Sequence, residues 1–256
     1  MKSYLNPTAE NLIDIGFVNH SADLIAGITP FDLFVWETKT GVLIHRSRAP
    51  ANKVYSALGF DQKNKKFVVA LRNNDLTSCL QIYSAPKIVK HKVIDTLLLP
   101  KIKQLAFLPG GKITMMNEFY KPSVKVVKIA HSDATSQKKT YNQENPFYGY
   151  AEIDTKTEEL IHYRGLNPSL KLFDMKFMIS PGKRYLLFIP SIYNEYEGLN
   201  NILWLYDRKT NEFRTKKLSN EFDFAFIDYQ KDGILKLIKN GTVERININY
   251  KELFAR

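Results

Sequence analysis

Only one cysteine, Cys79, occurs in the 256-residue chain, which excludes an internal disulfide. A reducing compartment is the simpler setting for such a chain. Cys79 sits in the strand-like run Thr77-Ser78-Cys79-Leu80-Gln81-Ile82-Tyr83, with no helix start and no histidine beside it. It reads as a buried structural thiol and not as a nucleophile. No apolar run approaches the roughly 20 residues that span a bilayer. The opening Met1-Lys2-Ser3-Tyr4-Leu5-Asn6-Pro7 lacks an apolar signal core. The expectation is an intracellular protein, cytoplasmic, or nuclear in a eukaryote.

Motifs that carry chemistry are equally scarce. There is no Gly-x-Ser-x-Gly elbow and no phosphate loop ending in Gly-Lys-Ser or Gly-Lys-Thr. The five histidines, His20, His45, His91, His131 and His162, never fall within four residues of one another, so no compact zinc motif exists. No catalytic residue, cofactor site or metal ligand is assigned, and the chain is expected not to be an enzyme. Helical periodicity is missing too. No interior segment of 12 or more residues has a 3.6-residue period. A turn or two of helix is expected at most, at Asn11–Asp14 and Asn249–Phe254.

What the chain has is strand chemistry: 14 Tyr and 16 Phe. Three stretches share one frame, an acid, a variable residue, Lys-Thr, two variable residues and a large apolar one. They are Glu37-Thr38-Lys39-Thr40-Gly41-Val42-Leu43, Asp154-Thr155-Lys156-Thr157-Glu158-Glu159-Leu160 and Asp207-Arg208-Lys209-Thr210-Asn211-Glu212-Phe213. Apolar runs precede the first and last, so each reads as strand, tight turn, strand. Asp154 and Asp207 are expected to accept backbone N–H bonds in their turns.

A second unit alternates with the first: a short apolar strand ending in Phe, a polar turn, then another apolar strand. Its marker Phe recurs at 17, 60, 107, 177 and 226, in steps of 43, 47, 70 and 49 residues. Asp, Asn, Pro and Gly in the turns supply hairpin backbone angles; Gly110-Gly111 is one such turn. Together the two hairpins make a four-stranded unit of the length found in β-propeller blades. The expectation is an all-β chain, a single small propeller over residues 1–256 with five or six four-stranded blades. Pairing of N- and C-terminal strands would close it, using Leu12–Ile15 or the residues before them. The long step marks an irregular or inserted blade at about 117–166, which includes the strand-like Val124–Ile129.

The run Phe34-Val35-Trp36-Glu37-Thr38-Lys39-Thr40-Gly41 resembles the apolar–Trp–Asp ending and Thr-Gly turn of WD40 repeats. Ile153-Asp154 and Tyr206-Asp207 are similar, and Tyr83-Ser84 is a fainter fourth case. The turn Phe177-Met178-Ile179-Ser180-Pro181-Gly182-Lys183 looks like the family's first hairpin. No Gly-His pair opens a blade, and Glu37 stands where the family has Asp. The resemblance implies a non-catalytic platform for protein partners within an intracellular complex.

The loops joining second to third and fourth to next-first strands would share one face. That face is expected to collect Phe31, Asp32, Lys53, Tyr55, Arg72, Asn73, Phe119, Tyr120, Tyr193 and Tyr196. Tyr and Arg dominate binding energy at interfaces, so Arg72, Tyr120, Tyr193 and Tyr196 are the candidate partner-binding residues. The net charge of +11 also fits RNA or a ribonucleoprotein. A hydrolase or lyase with residues gathered on the axis is a third alternative. The basic runs His45/Arg46/Arg48, Lys90/His91/Lys92 and Arg214/Lys216/Lys217 fall on predicted outer strands, where charge discourages edge-to-edge aggregation.

Overall fold

The computed structural model describes residues 11–74, 77–97, 99, 101–120, 146–165, 175–190, 202–217, 224–227, 233–239, 241–247 and 249. These hold nineteen strands and no helix. The strands form five antiparallel sheets, four of four strands and one of three, each with sequence-adjacent strands side by side. Asn11–Ile13 is not helical; the Ile13 N–H donates to the Ile28 carbonyl and leads straight into the first strand.

The chain divides into two compact units, Met1–Ser136 with Phe147–Leu166, and Gln137–Pro146 with Asn167–Arg256. The first unit contains three sheets. Sheet 1 is β1 (Asp14–Phe17), β2 (Leu24–Ile28), β3 (Asp32–Glu37) and β4 (Leu43–Arg48). Sheet 2 is β5 (Lys53–Asp61), β6 (Lys66–Asn73), β7 (Ser78–Ser84) and β8 (Val89–Leu97). Sheet 3 is β9 (Ile102–Leu108), β10 (Lys112–Tyr120), β11 (Pro146–Asp154) and β12 (Leu160–Gly165). Residues 121–145 thus connect the second and third strands of one sheet. Val124–Ile129 lies outside the described residues.

Two apolar layers hold these sheets together. Between sheets 1 and 2 lie Ala26, Ile28, Leu33 and Val35 against Tyr55, Phe67, Val69 and Leu71. Between sheets 2 and 3 lie Val68, Ala70, Leu80 and Ile82 against Ile102, Leu105, Ile113 and Met115. Alternate residues of β6 serve the two layers, as the two-residue period of a strand requires. That is why its sequence Phe-Val-Val-Ala-Leu is apolar throughout. Each fully buried Val or Leu contributes about 1.5–3 kcal/mol.

The residue before the marker Phe is where first strands meet. A Cβ on Gly59 of β5 would lie 2.8 Å from the Leu105 Cβ and 3.0 Å from its carbonyl group, both in β9. One on Gly16 of β1 would lie 2.5 Å from the Phe60 ring of β5. The Asp14 carboxylate adds a tie, accepting the Leu58 N–H at 2.7 Å.

The second unit contains sheet 4, β13 (Met175–Ile179), β14 (Tyr185–Pro190), β15 (Ile202–Asp207) and β16 (Glu212–Lys217). Sheet 5 is β17 (Phe224–Ile227), β18 (Ile234–Lys239) and β19 (Thr242–Asn247). The Ile227 N–H meets the Met178 sulfur at 3.3 Å and links the two first strands. All five Phe-marked hairpins and all three Lys-Thr hairpins therefore fall on paired strands, in the expected order. Repeated four-stranded antiparallel sheets of this kind are consistent with a propeller-like fold.

The three basic runs lie on β4, β8 and β16, the last strand of each sheet. The edge-charge explanation needs a correction on β4. Arg46 pairs with the buried Asp32 at 3.0 Å and sits 5.6 Å over the Phe34 ring, while half-buried His45 meets Tyr83 edge-on at 6.3 Å. Both side chains pack against the sheet, and of the two only Arg46 charges its edge, since burial lowers the His45 pKa.

Candidate binding surface

The two ends of the sheets are built differently. At one end, the Lys-Thr frames make the same turn three times. The N–H of the fifth frame residue donates to the carbonyl of the first: Gly41 to Glu37, Glu158 to Asp154 and Asn211 to Asp207, each at 2.8 Å. That fifth residue has φ of +77°, +63° and +60° respectively, the left-handed region that Gly and Asn tolerate best. Asp154 and Asp207 accept the Lys156 and Lys209 N–H groups at 2.8 and 2.9 Å, so both carboxylates serve as turn caps.

The variable second position of the frame ties this turn to the neighbouring hairpin. The Thr38, Thr155 and Arg208 N–H groups donate to the carbonyls of Asp23, Gly111 and Arg184. Their side chains repeat the link: the Thr38 hydroxyl to Ala22, the Thr155 hydroxyl to Gly111 and the Arg208 guanidinium to Lys183. Sheet 2 keeps the backbone half alone, Ala85 to Lys65. In sheet 4, Arg184 forks onto the fully buried Asp207 carboxylate at 2.9 and 3.1 Å through Nε and 2.5 Å through Nη2. Burial by itself pushes the Asp207 carboxyl up. The Arg184 guanidinium and the Lys209 and Thr210 N–H groups outweigh it and hold the group below its ordinary value. At this end of sheets 1, 3 and 4 the turns are thus tied internally through backbone and side-chain bonds.

The opposite end of the first unit carries the expected face. The Ala49 N–H donates to the Phe31 carbonyl at 2.7 Å, and the Tyr55 N–H to the Pro30 carbonyl at 2.8 Å. Lys53 is paired with Asn73 across β5 and β6, and the Asn73 N–H donates to Thr77 at 2.9 Å. Three loops are thereby stitched edge to edge. Two of them, the β4–β5 and β6–β7 loops, line a shallow open cavity of about 230 Å³ with Ala51, Asn52, Lys53, Asn73 and Asn74. Phe31, whose carbonyl holds the Ala49 N–H, is 43% exposed in the third loop. Lys53 reaches Asp95 and the Cys79 sulfur, both at 3.7 Å. Cys79 is fully buried, and burial raises its thiol pKa despite that ammonium. A protonated buried thiol is a poor nucleophile.

Arg72, the penultimate residue of β6, is half-buried at this end, opposite Val54 and Ser78. Tyr120 ends β10 at the same end of sheet 3. Nearby, Lys101 and Lys103 pair with the buried Glu118 at 2.9 and 3.5 Å. Tyr193 and Tyr196 lie outside the described residues. Two expected surface residues are corrected. Tyr55 is the third residue of β5 and is 2% exposed in the layer between sheets 1 and 2, and Asp32 is 3% exposed. Neither is presented to a partner.

Among the described residues, no group of three or more His, Cys, Asp or Glu side chains is placed to hold a metal ion. No described helix is long and apolar enough to cross a membrane.

No protein-family model matches the chain, and no curated protein matches it by sequence. By fold it is similar to many solved structures, 659 chains in all, so the fold alone cannot select a function. One is the structure of U3-55K, with a TM-score of 0.58 and 8% identity over 95% of this chain. The match spans 63% of that chain's length. At this identity the similarity speaks to the fold alone.

Proposed function

We propose that the chain is a non-catalytic protein-binding platform, using the loop end that carries Phe31, Lys53, Arg72 and Asn73. The observation that carries this reading is the asymmetry of the two ends. One end spends its donors and acceptors on repeated internal ties. The other has three loops linked by backbone hydrogen bonds that carry an exposed aromatic, amide groups and cations. A rigid surface with an aromatic and an Arg anchor suits a protein partner, because little is lost on ordering it. Tyr120, Tyr193 and Tyr196 complete the proposed contact set, and an intracellular complex is the proposed setting.

The likeness of Phe34–Gly41 to a WD40 repeat, and the fold match, support a closed propeller. In that ring the N-terminal segment supplies the outer strand next to β19. Ile13 to Phe17 are already paired with β2, so residues before Ile13 would fill that role. Sheet 1 supports closure as well: Ile15 and Phe17 are 50% and 45% exposed on the face away from sheet 2. A closing blade would cover them.

Affinity capture with wild type and with a Tyr193→Ala/Tyr196→Ala double variant tests the contact set. Undiminished partner recovery would remove those two residues from it. Titrating labelled RNA at two ionic strengths tests the charge-based alternative. Tight binding that collapses with salt would replace the protein reading with a nucleic-acid one.

A further inference from the structure

Asn117 breaks the pattern of its own repeat. It is fully buried in β10, and neither its Oδ1 nor its Nδ2 has a hydrogen-bond partner. Its equivalent in sheet 2 is Leu71. Each pairs with the residue just before a one-residue bulge on the first strand: Leu71 with Tyr55, before the bulge at Ser56, and Asn117 with Ile102, before the bulge at Lys103. Both are 0% exposed. Leu71 does what the position asks and packs between sheets 1 and 2. Asn117 puts an amide where that apolar side chain would go.

The layer that receives this amide is the one between sheets 2 and 3. Asn117 shares a face of sheet 3 with Ile113 and Met115, and Ile102 opposite it belongs to the same core cluster. A second orphan looks into that layer from sheet 2. Ser78 is 0% exposed with an unpartnered hydroxyl, on the face of β7 that carries Leu80 and Ile82. Ser78 opens β7 and Asn117 nears the end of β10, so both stand at the loop end of the layer.

We infer that Asn117 and Ser78 hold one internal water molecule between sheets 2 and 3. Full burial limits the guest to something small. The amide offers two N–H donors and a carbonyl acceptor, and the hydroxyl can do either; a water that accepts from one N–H, donates to the carbonyl and bonds the hydroxyl makes about three hydrogen bonds, the usual number for buried water. An Asn kept dry here would be a direct loss of stability, which the Leu71 equivalent shows to be avoidable. β10 keeps its two-residue alternation past the bulge, which lies at Lys103 on β9, and so places the amide on the face of Ile113 and Met115.

A high-resolution crystal structure of the full chain should show a solvent peak about 2.7–3.2 Å from both side chains. A dry site, or an amide bonded directly to Ser78, overturns the inference. Thermal unfolding of Asn117→Leu, Ser78→Ala and the double variant gives an independent check. The shared water predicts that the double variant lowers the midpoint by less than the two single shifts combined. Additive shifts, or a raised midpoint for Asn117→Leu, contradict it. If Asn117→Leu does not fold, the wild-type crystal structure still decides.

Discussion

At the residue scale, the least visible contributors are those at the variable second position of the Lys-Thr frame. Thr38, Thr155 and Arg208 make one and the same link with two different chemistries, a hydroxyl and a guanidinium. A repeat search sees identity, and here only the hydrogen bond repeats. The acid of the frame was legible as a turn cap, but the Arg184 fork onto Asp207 was not, because Arg184 lies 23 residues away. Asp207→Ala should destabilise the protein by about 1–3 kcal/mol, since it strips caps and leaves Arg184 unpaired. Chemical denaturation measures this, and a change under 0.5 kcal/mol, the range of neutral surface substitutions, would contradict it. The Asp207 carboxyl is held below its ordinary value, so its stabilising share is present above about pH 4 and is lost as pH falls further. His45 works in a different window. Burial lowers its pKa, and its Nε2 is buried without a partner beside Tyr83. Below about pH 6.5 the unfolded chain takes a proton that folded His45 resists, so stability falls as pH drops from 7 toward 5. His45→Gln should flatten that slope; an unchanged slope in pH-dependent melting would rule out His45 as its source.

At the element scale, the strands were legible nearly throughout, because apolar runs and turn residues alternate at fixed spacing. The exact packing was not. The strand assignment from sequence puts Tyr55 on the loop face, yet β5 begins at Lys53 and turns Tyr55 inward. The small residue before the marker Phe is a similar case. Gly59 occurs in a strand where Gly is otherwise unfavourable, and the reason is the Leu105 backbone 3.0 Å from where a Cβ would sit. Gly59→Ala should cost about 1–3 kcal/mol through overpacking, whereas Gly41→Ala, with no atom within 4 Å, is strained only by its backbone angle. Comparable melting losses for Gly59→Ala and an exposed strand substitution would show that β5 and β9 do not approach so closely. Sheets 2 and 3 have a further clasp, Lys92 of β8, which reaches the Thr155 carbonyl and pairs with Glu158 at 2.8 Å. Lys92→Met should loosen that clasp by about 0.5–1 kcal/mol, seen as faster amide exchange in the 155–158 turn.

At the scale of the whole molecule, sequence and structure agree on an all-β chain of repeated antiparallel sheets. The site was much less legible than the scaffold. Turn residues repeat because the sheet repeats, but a binding surface is assembled from loops that differ from sheet to sheet. Composition could point to Arg72 and Phe31 by residue type alone; the hydrogen bonds that lock Phe31, Ala49, Lys53 and Asn73 into one surface emerge only from the fold. On the proposed function, this loop end, and not the end that carries the Lys-Thr turns, engages a protein partner. Affinity measured between the captured partner and two double variants tests it most directly. Phe31→Ala/Arg72→Ala should weaken binding at least tenfold, about 1.4 kcal/mol, while Lys39→Ala/Lys156→Ala at the opposite end leaves it unchanged. Loss of binding only in the second variant, with the first indistinguishable from wild type, would contradict the account.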